Sequence, residues 1–201
     1  MTKNKVIALD IGGVCIKLHH DRCLGRLGIA SQADLPKEFI NVTNLLECGL
    51  ISELEWLERS REFLPGTADL DNDLVMEIFN DAIGTDIDGM ADFAQTMINA
   101  GFRLVYFSNT SELHSMEVAR KLSFAPLITG AIYSFEEGAM KPNQKIYQSF
   151  EERFGIPHAY FDDRAENIEA AIKRGWNAQL FTSAEAALQF MADLAGNRTS
   201  S

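Results

Sequence analysis

Short apolar runs alternate with helical periodicity along most of this chain. Residues Val6 to Leu9 are four apolar residues in a row, and Asp10-Ile11-Gly12-Gly13 follows at once. Such a run predicts a strand that is buried on both faces, as in a parallel sheet. Four further extended runs follow later in the chain, at Arg103 to Phe107, Leu127 to Phe135, Ala159 to Phe161 and Ala178 to Phe181. Because helical segments separate these runs, we predict an α/β fold with a parallel sheet and right-handed crossovers.

The segment between the first strand and residue 87 has a different pattern. From about Leu18 to Asp86 the apolar spacing is helical, and no convincing strand is present. Ser52-Glu53-Leu54-Glu55 has the spacing of a capping box. A further helix is predicted from about Leu70 to Ile83, ended by Gly84. We therefore expect a small all-helical cap, residues 18–86, inserted after strand 1 into an α/β core made of residues 1–17 and 87–201.

Composition and charge limit which binding partners and which cellular location we expect for this protein. The chain has 201 residues, of which 46% are apolar and 23% are charged, as in an ordinary globular protein. Its net charge of −11 argues against a nucleic-acid backbone or an anionic membrane surface as partner. The three cysteines show no Cys-x-x-Cys spacing, which favours reduced thiols and a cytoplasmic location. We expect no signal peptide and no membrane span, and a monomer or homodimer.

Polar side chains follow the predicted strands at the point where each strand ends. Asp10 follows the first strand, Ser108 and Asn109 the second, Lys141 the third, and Asp162-Asp163 the fourth. In a parallel sheet these positions share one edge. Clustered carboxylates repel unless a cation lies among them, and Mg²⁺ takes oxygen ligands while it keeps waters and a phosphate. A lysine and a hydroxyl can hold phosphate oxygens, and a carboxylate beside them can act as a nucleophile.

Four motifs resemble those of the haloacid dehalogenase superfamily, in the same order along the chain. They are Leu9-Asp10-Ile11-Gly12-Gly13-Val14, Phe107-Ser108-Asn109-Thr110, Gly138-Ala139-Met140-Lys141-Pro142 and Tyr160-Phe161-Asp162-Asp163-Arg164-Ala165-Glu166-Asn167. The resemblance covers Val6 to about Phe181. The fourth motif is most similar to the branch that includes glucose-1-phosphate phosphatases and the phosphatase domain of soluble epoxide hydrolases. The resemblance implies a Rossmann-like core of three α/β/α layers and a small helical cap.

The resemblance also implies an activity and the residues that attack and bind the substrate. It implies a magnesium-dependent phosphatase that hydrolyses a small phosphorylated metabolite, with sugar phosphates among the candidates. Asp10 would be the nucleophile and would form an aspartyl-phosphate. Ser108, Asn109 and Lys141 would bind the phosphate, and Ser108 and Lys141 would also take part in catalysis.

On the metal side, the resemblance implies three direct Mg²⁺ ligands. These are the carboxylates of Asp10 and Asp163 and the backbone carbonyl of Gly12. Asp162 and Asn167 would support the site from behind these ligands.

Gly12 departs from the usual pattern of superfamily phosphatases. They carry a second Asp two positions after the nucleophile, which acts first as acid and then as base. General acid–base assistance is typically worth about 10²- to 10⁴-fold, so its loss would weaken catalysis without abolishing it. His19, His20 or a cap residue could replace the missing group.

Two other function classes stay open at this stage. One is a binding or regulatory protein that kept the fold with impaired catalysis. The other is a 2-haloacid dehalogenase, which shares the Asp nucleophile but needs no metal. The Asp162-Asp163 pair argues against the dehalogenase, because halide displacement gains nothing from a cation among carboxylates.

Overall fold

A five-stranded parallel sheet forms the centre of the molecule. The computed structural model describes residues 5–64 and 66–196. The strands in chain order are β1 (Val6–Leu9), β2 (Ile16–Leu18), β3 (Ile83–Asp86), β4 (Arg103–Ser108), β5 (Ile128–Tyr133), β6 (Ala159–Asp162) and β7 (Ala178–Leu180). The order across the main sheet is β5-β4-β1-β6-β7, and every neighbouring pair in it is parallel. The predicted α/β fold is confirmed.

Helices account for most of the other described residues. The α-helices in chain order are α1 (His20–Arg26), α2 (Lys37–Glu47), α3 (Glu53–Phe63), α4 (Asn72–Asn80), α5 (Met90–Asn99), α6 (Glu112–Lys121), α7 (Ser134–Glu137), α8 (Gln144–Phe154), α9 (Ala165–Lys173) and α10 (Ala184–Gly196). Short 3₁₀ turns lie at Gln32–Asp34 and Ala125–Leu127. In the part of the chain that the structure describes, no helix combines the length and the apolar character that crossing a bilayer requires.

Strand β1 lies between two helical layers, which explains its uninterrupted apolar sequence. Successive side chains of a strand point to opposite faces. Ile7 and Leu9 pack in one apolar cluster with α5 and α10, whereas Val6 and Ala8 pack in a second cluster with α8 and α9. The core therefore has the three layers that the sequence predicts, with β1 at the centre of the sheet.

The central place of β1 brings Asp10 to the middle of the carboxyl edge of the sheet. Leu9 pairs with Tyr106 of β4 on one side and with Phe161 of β6 on the other. The Asp10 backbone N–H donates to the Phe161 carbonyl oxygen at 2.9 Å. The ends of β4 and β6 therefore lie on either side of Asp10.

Strand β3 corrects one sequence prediction. The helix expected to reach Ile83 ends at Asn80, and Gly84 lies in a strand that pairs antiparallel with β2 instead of ending a helix. A side chain at Gly84 would approach the Lys17 carbonyl oxygen and the His19 ring to 2.6 Å. Glycine therefore allows close pairing of the two strands that connect the inserted segment to the core. The apolar run at this position was too short for periodicity to separate strand from helix.

The helices α1 to α4 form a unit with its own apolar cluster. Trp56 and Leu57 of α3, Val75 and Ile78 of α4 and Phe39 of α2 are all buried in it. The predicted capping box is present, because Ser52 and Glu55 exchange side chain to backbone hydrogen bonds at the start of α3. This unit contacts α6 and α7 of the core. We propose that residues 18–86 act as a mobile cap over the carboxyl edge of the sheet.

Candidate active site

A buried lysine joins the ends of three central strands. Lys141 Nζ lies 3.0 Å from Asp10 Oδ1 and 2.6 Å from Asp162 Oδ2, and it donates to the Phe107 carbonyl oxygen at 2.6 Å. The lysine side chain is 1% exposed. Its ammonium group therefore neutralises part of the charge of two carboxylates that would otherwise repel each other.

The Asn109 side chain fixes the loop that carries Lys141. The Lys141 backbone N–H donates to Asn109 Oδ1 at 2.7 Å, and Asn109 Nδ2 donates to the Lys141 carbonyl oxygen at 3.0 Å. This reciprocal pair connects the loop after α7 to the end of β4. The side-chain amide of Asn109 thus holds the backbone of Lys141, and phosphate binding by Asn109, which the resemblance implies, stays a prediction.

Asp162 accepts hydrogen bonds from several donors. Its Oδ1 accepts from the Arg164 backbone N–H at 2.9 Å and from Asn167 Nδ2 at 3.0 Å. Its Oδ2 accepts from Lys141 and from the Tyr160 hydroxyl. Burial opposes ionisation of Asp162, but the Lys141 charge and these hydrogen bonds outweigh it and hold the pKa of Asp162 below its ordinary value. Asp162 thus acts as a structural acceptor behind the site.

The carboxylates of Asp10 and Asp163 carry negative charge that the described cationic side chains neutralise only in part. Ligand oxygens of Asp10, Asp162 and Asp163 all lie within 4.8 Å of one another. Burial raises the pKa of Asp10 to about 6 and the Asp162 charge adds to this, while Lys141 and a hydrogen bond from Ser108 oppose it. Burial and the Asp162 charge also raise the pKa of Asp163. This excess of negative charge is what a divalent cation would relieve.

The donor set and the local backbone both fit such a cation. The three converging side chains offer only oxygen ligands, which suit Mg²⁺. Gly13 has φ +70°, and a side chain there would lie 2.4 Å from Asp163 Oδ2. Glycine at this position therefore leaves room for the Asp163 carboxylate beside the loop after β1. Since both oxygens of Asp162 accept from several donors, we expect Asp10 and Asp163 to supply the carboxylate ligands.

We expect Asp163→Ala to weaken Mg²⁺ binding by at least about 100-fold, since removal of even an outer-sphere partner typically costs 10- to 100-fold. Isothermal titration calorimetry at fixed pH measures the affinity directly. Glu169→Ala is the matched control, because it removes an exposed carboxylate from α9. Unchanged affinity in Asp163→Ala would contradict the proposed ligand set.

A cavity of about 240 Å³ connects this edge of the sheet with the interior of the α1–α4 unit. Gly12, Ser108 and Asn109 line it from the core. The residues that line it from the inserted segment are mostly apolar and include Leu24, Leu27, Leu35, Phe39, Ile40 and Phe79. None of its described lining residues is a lysine or an arginine. The cavity therefore favours an apolar group without a second negative charge.

The three histidines near the site have different surroundings. His20 and His114 line the cavity. The His19 ring instead packs against Gly84 in the β2–β3 ribbon. Burial lowers the pKa of His20. Burial lowers the pKa of His114 to about 4, and its ring stacks on Phe79 with the centroids 4.9 Å apart.

The neutral state of His114 makes the protein sensitive to acid. Because its pKa falls from 6.5 to about 4 on folding, the unfolded state binds more protons than the folded state between these values. Stability therefore falls as the pH falls through this window, by about 2 kcal/mol between pH 8 and pH 5 for this group. We expect His114→Gln to lose correspondingly less stability over this range, as measured by urea unfolding at each pH. Equal pH dependence in both proteins would contradict this assignment.

Glu47 is the site residue that the sequence analysis did not single out. It is the last residue of α2 and lines the cavity together with Gly12 and Ser108. Burial and the Asp10 charge raise the pKa of Glu47 to about 7, while Arg164 opposes the shift. The position of Glu47 could have marked it as a candidate site residue. A carboxylate in the last turn of a helix lies at the negative end of the helix dipole, where it is unfavourable for stability.

The sequence matches the family model of the haloacid dehalogenase-like hydrolases over residues 4–175. The protein belongs to this family. Its predicted membership of the superfamily is thereby confirmed, while the resemblance to one branch within it stays a prediction. As a haloacid dehalogenase-like hydrolase, it is an enzyme of the hydrolase class.

This hydrolase has relatives among characterised proteins and solved structures. It is 25% identical over 179 residues to flavin mononucleotide hydrolase 1 of Arabidopsis thaliana, a chloroplast protein, covering 82% of this chain and 71% of the relative. The HAD family enzyme BT-2542 of Bacteroides thetaiotaomicron, crystallised with magnesium and inorganic phosphate, superposes with a TM-score of 0.73 at 18% identity, covering 90% of this chain and 96% of the other. A predicted HAD-like hydrolase from Porphyromonas gingivalis gives a TM-score of 0.73 at 20% identity, covering 95% and 97%. These structures share the fold of this hydrolase.

Proposed function

We propose that this hydrolase is a Mg²⁺-dependent phosphatase that cleaves phosphomonoesters through an aspartyl-phosphate on Asp10. The observation that carries the proposal is the arrangement at the carboxyl edge. Asp10 lies 3.0 Å from a buried lysine, shares its surroundings with two further carboxylates, and accepts a hydrogen bond from Ser108. This is the chemistry that in-line transfer of a phosphoryl group to a carboxylate requires.

In the proposed reaction, the Asp10 carboxylate attacks phosphorus and displaces the leaving oxygen. The Lys141 ammonium and the Ser108 hydroxyl bind the phosphate oxygens and offset the charge of the transition state. The carboxylates of Asp10 and Asp163 and the Gly12 carbonyl would hold Mg²⁺, which would neutralise the charge of the phosphate when bound. The α1–α4 unit would exclude water while the leaving group occupies the cavity.

The cavity supports a narrower proposal about the leaving group. Its apolar lining and its lack of lysine and arginine among the described residues favour an apolar group over a sugar or a second anion. Flavin mononucleotide hydrolase 1, a relative of this chain, is named for a phosphomonoester whose alkyl chain carries a fused aromatic ring system. We therefore propose phosphomonoesters that carry an aromatic ring as the substrate class, with sugar phosphates as less favoured substrates.

A substrate screen with and without Mg²⁺ tests the proposal. We expect phosphate release from 4-nitrophenyl phosphate and flavin mononucleotide, loss of release in EDTA, and kcat/KM for glucose 1-phosphate and phosphoglycolate at least about 10-fold lower. Absence of hydrolysis of every ester while calorimetry shows bound Mg²⁺ would favour a binding protein instead. Halide release from 2-chloropropionate without metal would favour the dehalogenase.

A further inference from the structure

Because residue 12 is glycine, the proposed phosphatase reaction lacks its usual general acid and base. The cavity contains one candidate residue that could replace it. Of the described residues that line it, Glu47 is the only carboxylic acid. It shares this lining with Gly12, Ser108 and Asn109. Because Gly12 and Ser108 belong to the phosphate end of the cavity, a carboxyl group in the same lining is a candidate for proton transfer to the departing ester oxygen.

Contacts of Cys48 and Gly49, the two residues after Glu47, position the end of α2 relative to the core. Gly49 has φ +63°, and a side chain there would lie 2.1 Å from the Phe135 carbonyl oxygen in α7. The Cys48 carbonyl oxygen lies 3.9 Å from the position of a side chain at Gly138. The turn after α2 thus rests on the segment that leads into Lys141. This docking places Glu47 in the cavity lining together with Gly12 and Ser108, where the Asp10 charge acts on its carboxyl group.

We propose that Glu47 supplies the general acid and base that Gly12 cannot. This inference rests on the proposed phosphatase function and assigns the proton transfers to a residue of the inserted segment. Packing of that segment against the core is then required for catalysis, because without it the reaction would have no proton donor.

The surroundings of Glu47 suit both halves of this role. Burial and the neighbouring Asp10 charge raise the pKa of Glu47 to about 7, so both protonation states are accessible near neutral pH. Arg164 is the cation that opposes this shift.

The histidines that the sequence analysis considered are less suited to the role. Burial lowers the pKa of His20, which disfavours the imidazolium form that a general acid requires. The His114 ring stacks on Phe79, and its Nε2 lies 3.3 Å from the Phe79 carbonyl oxygen, so that nitrogen is already engaged. His19 packs in the β2–β3 ribbon outside the cavity lining.

Over the two steps of the proposed reaction, Glu47 first donates a proton and then regains one. In the first, an Asp10 oxygen bonds to phosphorus, the bond from phosphorus to the ester oxygen breaks, and the Glu47 carboxyl proton passes to that oxygen to release an alcohol. In the second, water attacks the phosphorus of the aspartyl-phosphate while the Glu47 carboxylate takes a water proton. The bond from phosphorus to Asp10 then breaks, which frees phosphate and restores protonated Glu47 and ionised Asp10.

The test compares wild type, Glu47→Gln and Glu58→Gln on phosphomonoesters of graded leaving-group pKa with Mg²⁺ present. Glu58→Gln is the matched control, because Glu58 is an exposed carboxylate of α3. For alkyl phosphates we expect Glu47→Gln to lower kcat/KM by about 10²- to 10⁴-fold. For 2,4-dinitrophenyl phosphate, whose leaving group needs no proton, we expect little change in the burst phase but slow turnover afterwards, with accumulated phosphoenzyme. An equal loss for all esters, or none, would overturn the role.

Restoring the usual carboxylate gives a second and independent readout. A side chain at Gly12 would meet Leu18 Cδ1 at 2.8 Å, and this atom is the end of a flexible side chain. We therefore expect Gly12→Asp with Leu18→Ala to raise alkyl phosphate hydrolysis at least about 10-fold in the Glu47→Gln background and much less in wild type. Equal gains in both backgrounds would show that Glu47 does not fill the position left by Gly12.

Two controls separate failure of this inference from failure of the proposed function. Thermal unfolding and Mg²⁺ affinity of Glu47→Gln should match wild type, and Glu47→Asp should retain a shallow dependence on leaving-group pKa even if turnover falls. If wild type hydrolyses the esters and all variants share its dependence, only the acid–base role is wrong. If wild type hydrolyses none of them with Mg²⁺ bound, the phosphatase function itself is wrong.

Discussion

Asp10→Asn is expected to lower turnover of every phosphomonoester by on the order of 10⁶-fold, the size of loss seen when a covalent nucleophile is removed. The amide has nearly the shape of the carboxylate but cannot form an aspartyl-phosphate. Rapid quench followed by mass spectrometry of the intact protein should show a phosphoenzyme in wild type and none in the variant. The control is Asp88→Asn, which changes an exposed carboxylate paired with Lys17.

The stability of Asp10→Asn should move in the opposite direction to its activity. Burial raises the pKa of Asp10 to about 6, so above this pH the folded protein holds a charge that its surroundings disfavour. An acid whose pKa is raised on folding destabilises the folded state at pH values above that pKa. We therefore expect the unfolding midpoint of Asp10→Asn at pH 8 to equal or exceed that of wild type. A clear loss of stability would mean that the Asp10 carboxylate is a structural group held by Lys141.

Lys141→Met is expected to damage both stability and catalysis. Removing the ammonium leaves Asp10 and Asp162 as close carboxylates without their common partner, at positions that are 8% and 0% exposed. Breaking a buried ion pair from one side typically costs about 3–5 kcal/mol. Loss of a preorganised donor to the transition state should lower kcat by about 10²- to 10³-fold. Urea unfolding and steady-state kinetics measure the two effects separately.

Mg²⁺ should stabilise Lys141→Met more than it stabilises wild type, because the variant carries a larger excess of negative charge at the site. Binding to the folded state alone raises stability with ligand concentration, so a magnesium titration of the unfolding midpoint reports this coupling. Lys173→Met is the control, since Lys173 is an exposed lysine of α9. A Lys141→Met protein as stable as this control would contradict the buried network described above.

Several features of this protein follow from the sequence alone because they depend on local patterns. The run of apolar residues from Val6 to Leu9 predicts a strand buried on both faces, and β1 is such a strand. Parallel strands send their carboxyl ends to one edge, so the convergence of Asp10, Ser108, Lys141 and Asp162 needs only the order of strands and polar residues. The Ser52–Glu55 capping box is likewise a matter of spacing within one helical turn.

Other features were decided by contacts between residues far apart in the chain. Strand β3 forms because Gly84 permits close pairing with β2, some 65 residues earlier, which no local periodicity encodes. The Asn109 side chain binds the Lys141 backbone across 32 residues. Glu47 lies in the same cavity lining as Gly12, and the turn at Gly49 that follows it rests on Phe135, some 85 residues later in the chain. The sequence determined which residues reach the catalytic edge, since strand ends are set locally. Only the tertiary structure decided how the inserted segment packs against the core, because this packing depends on backbone and side-chain contacts between distant parts of the chain.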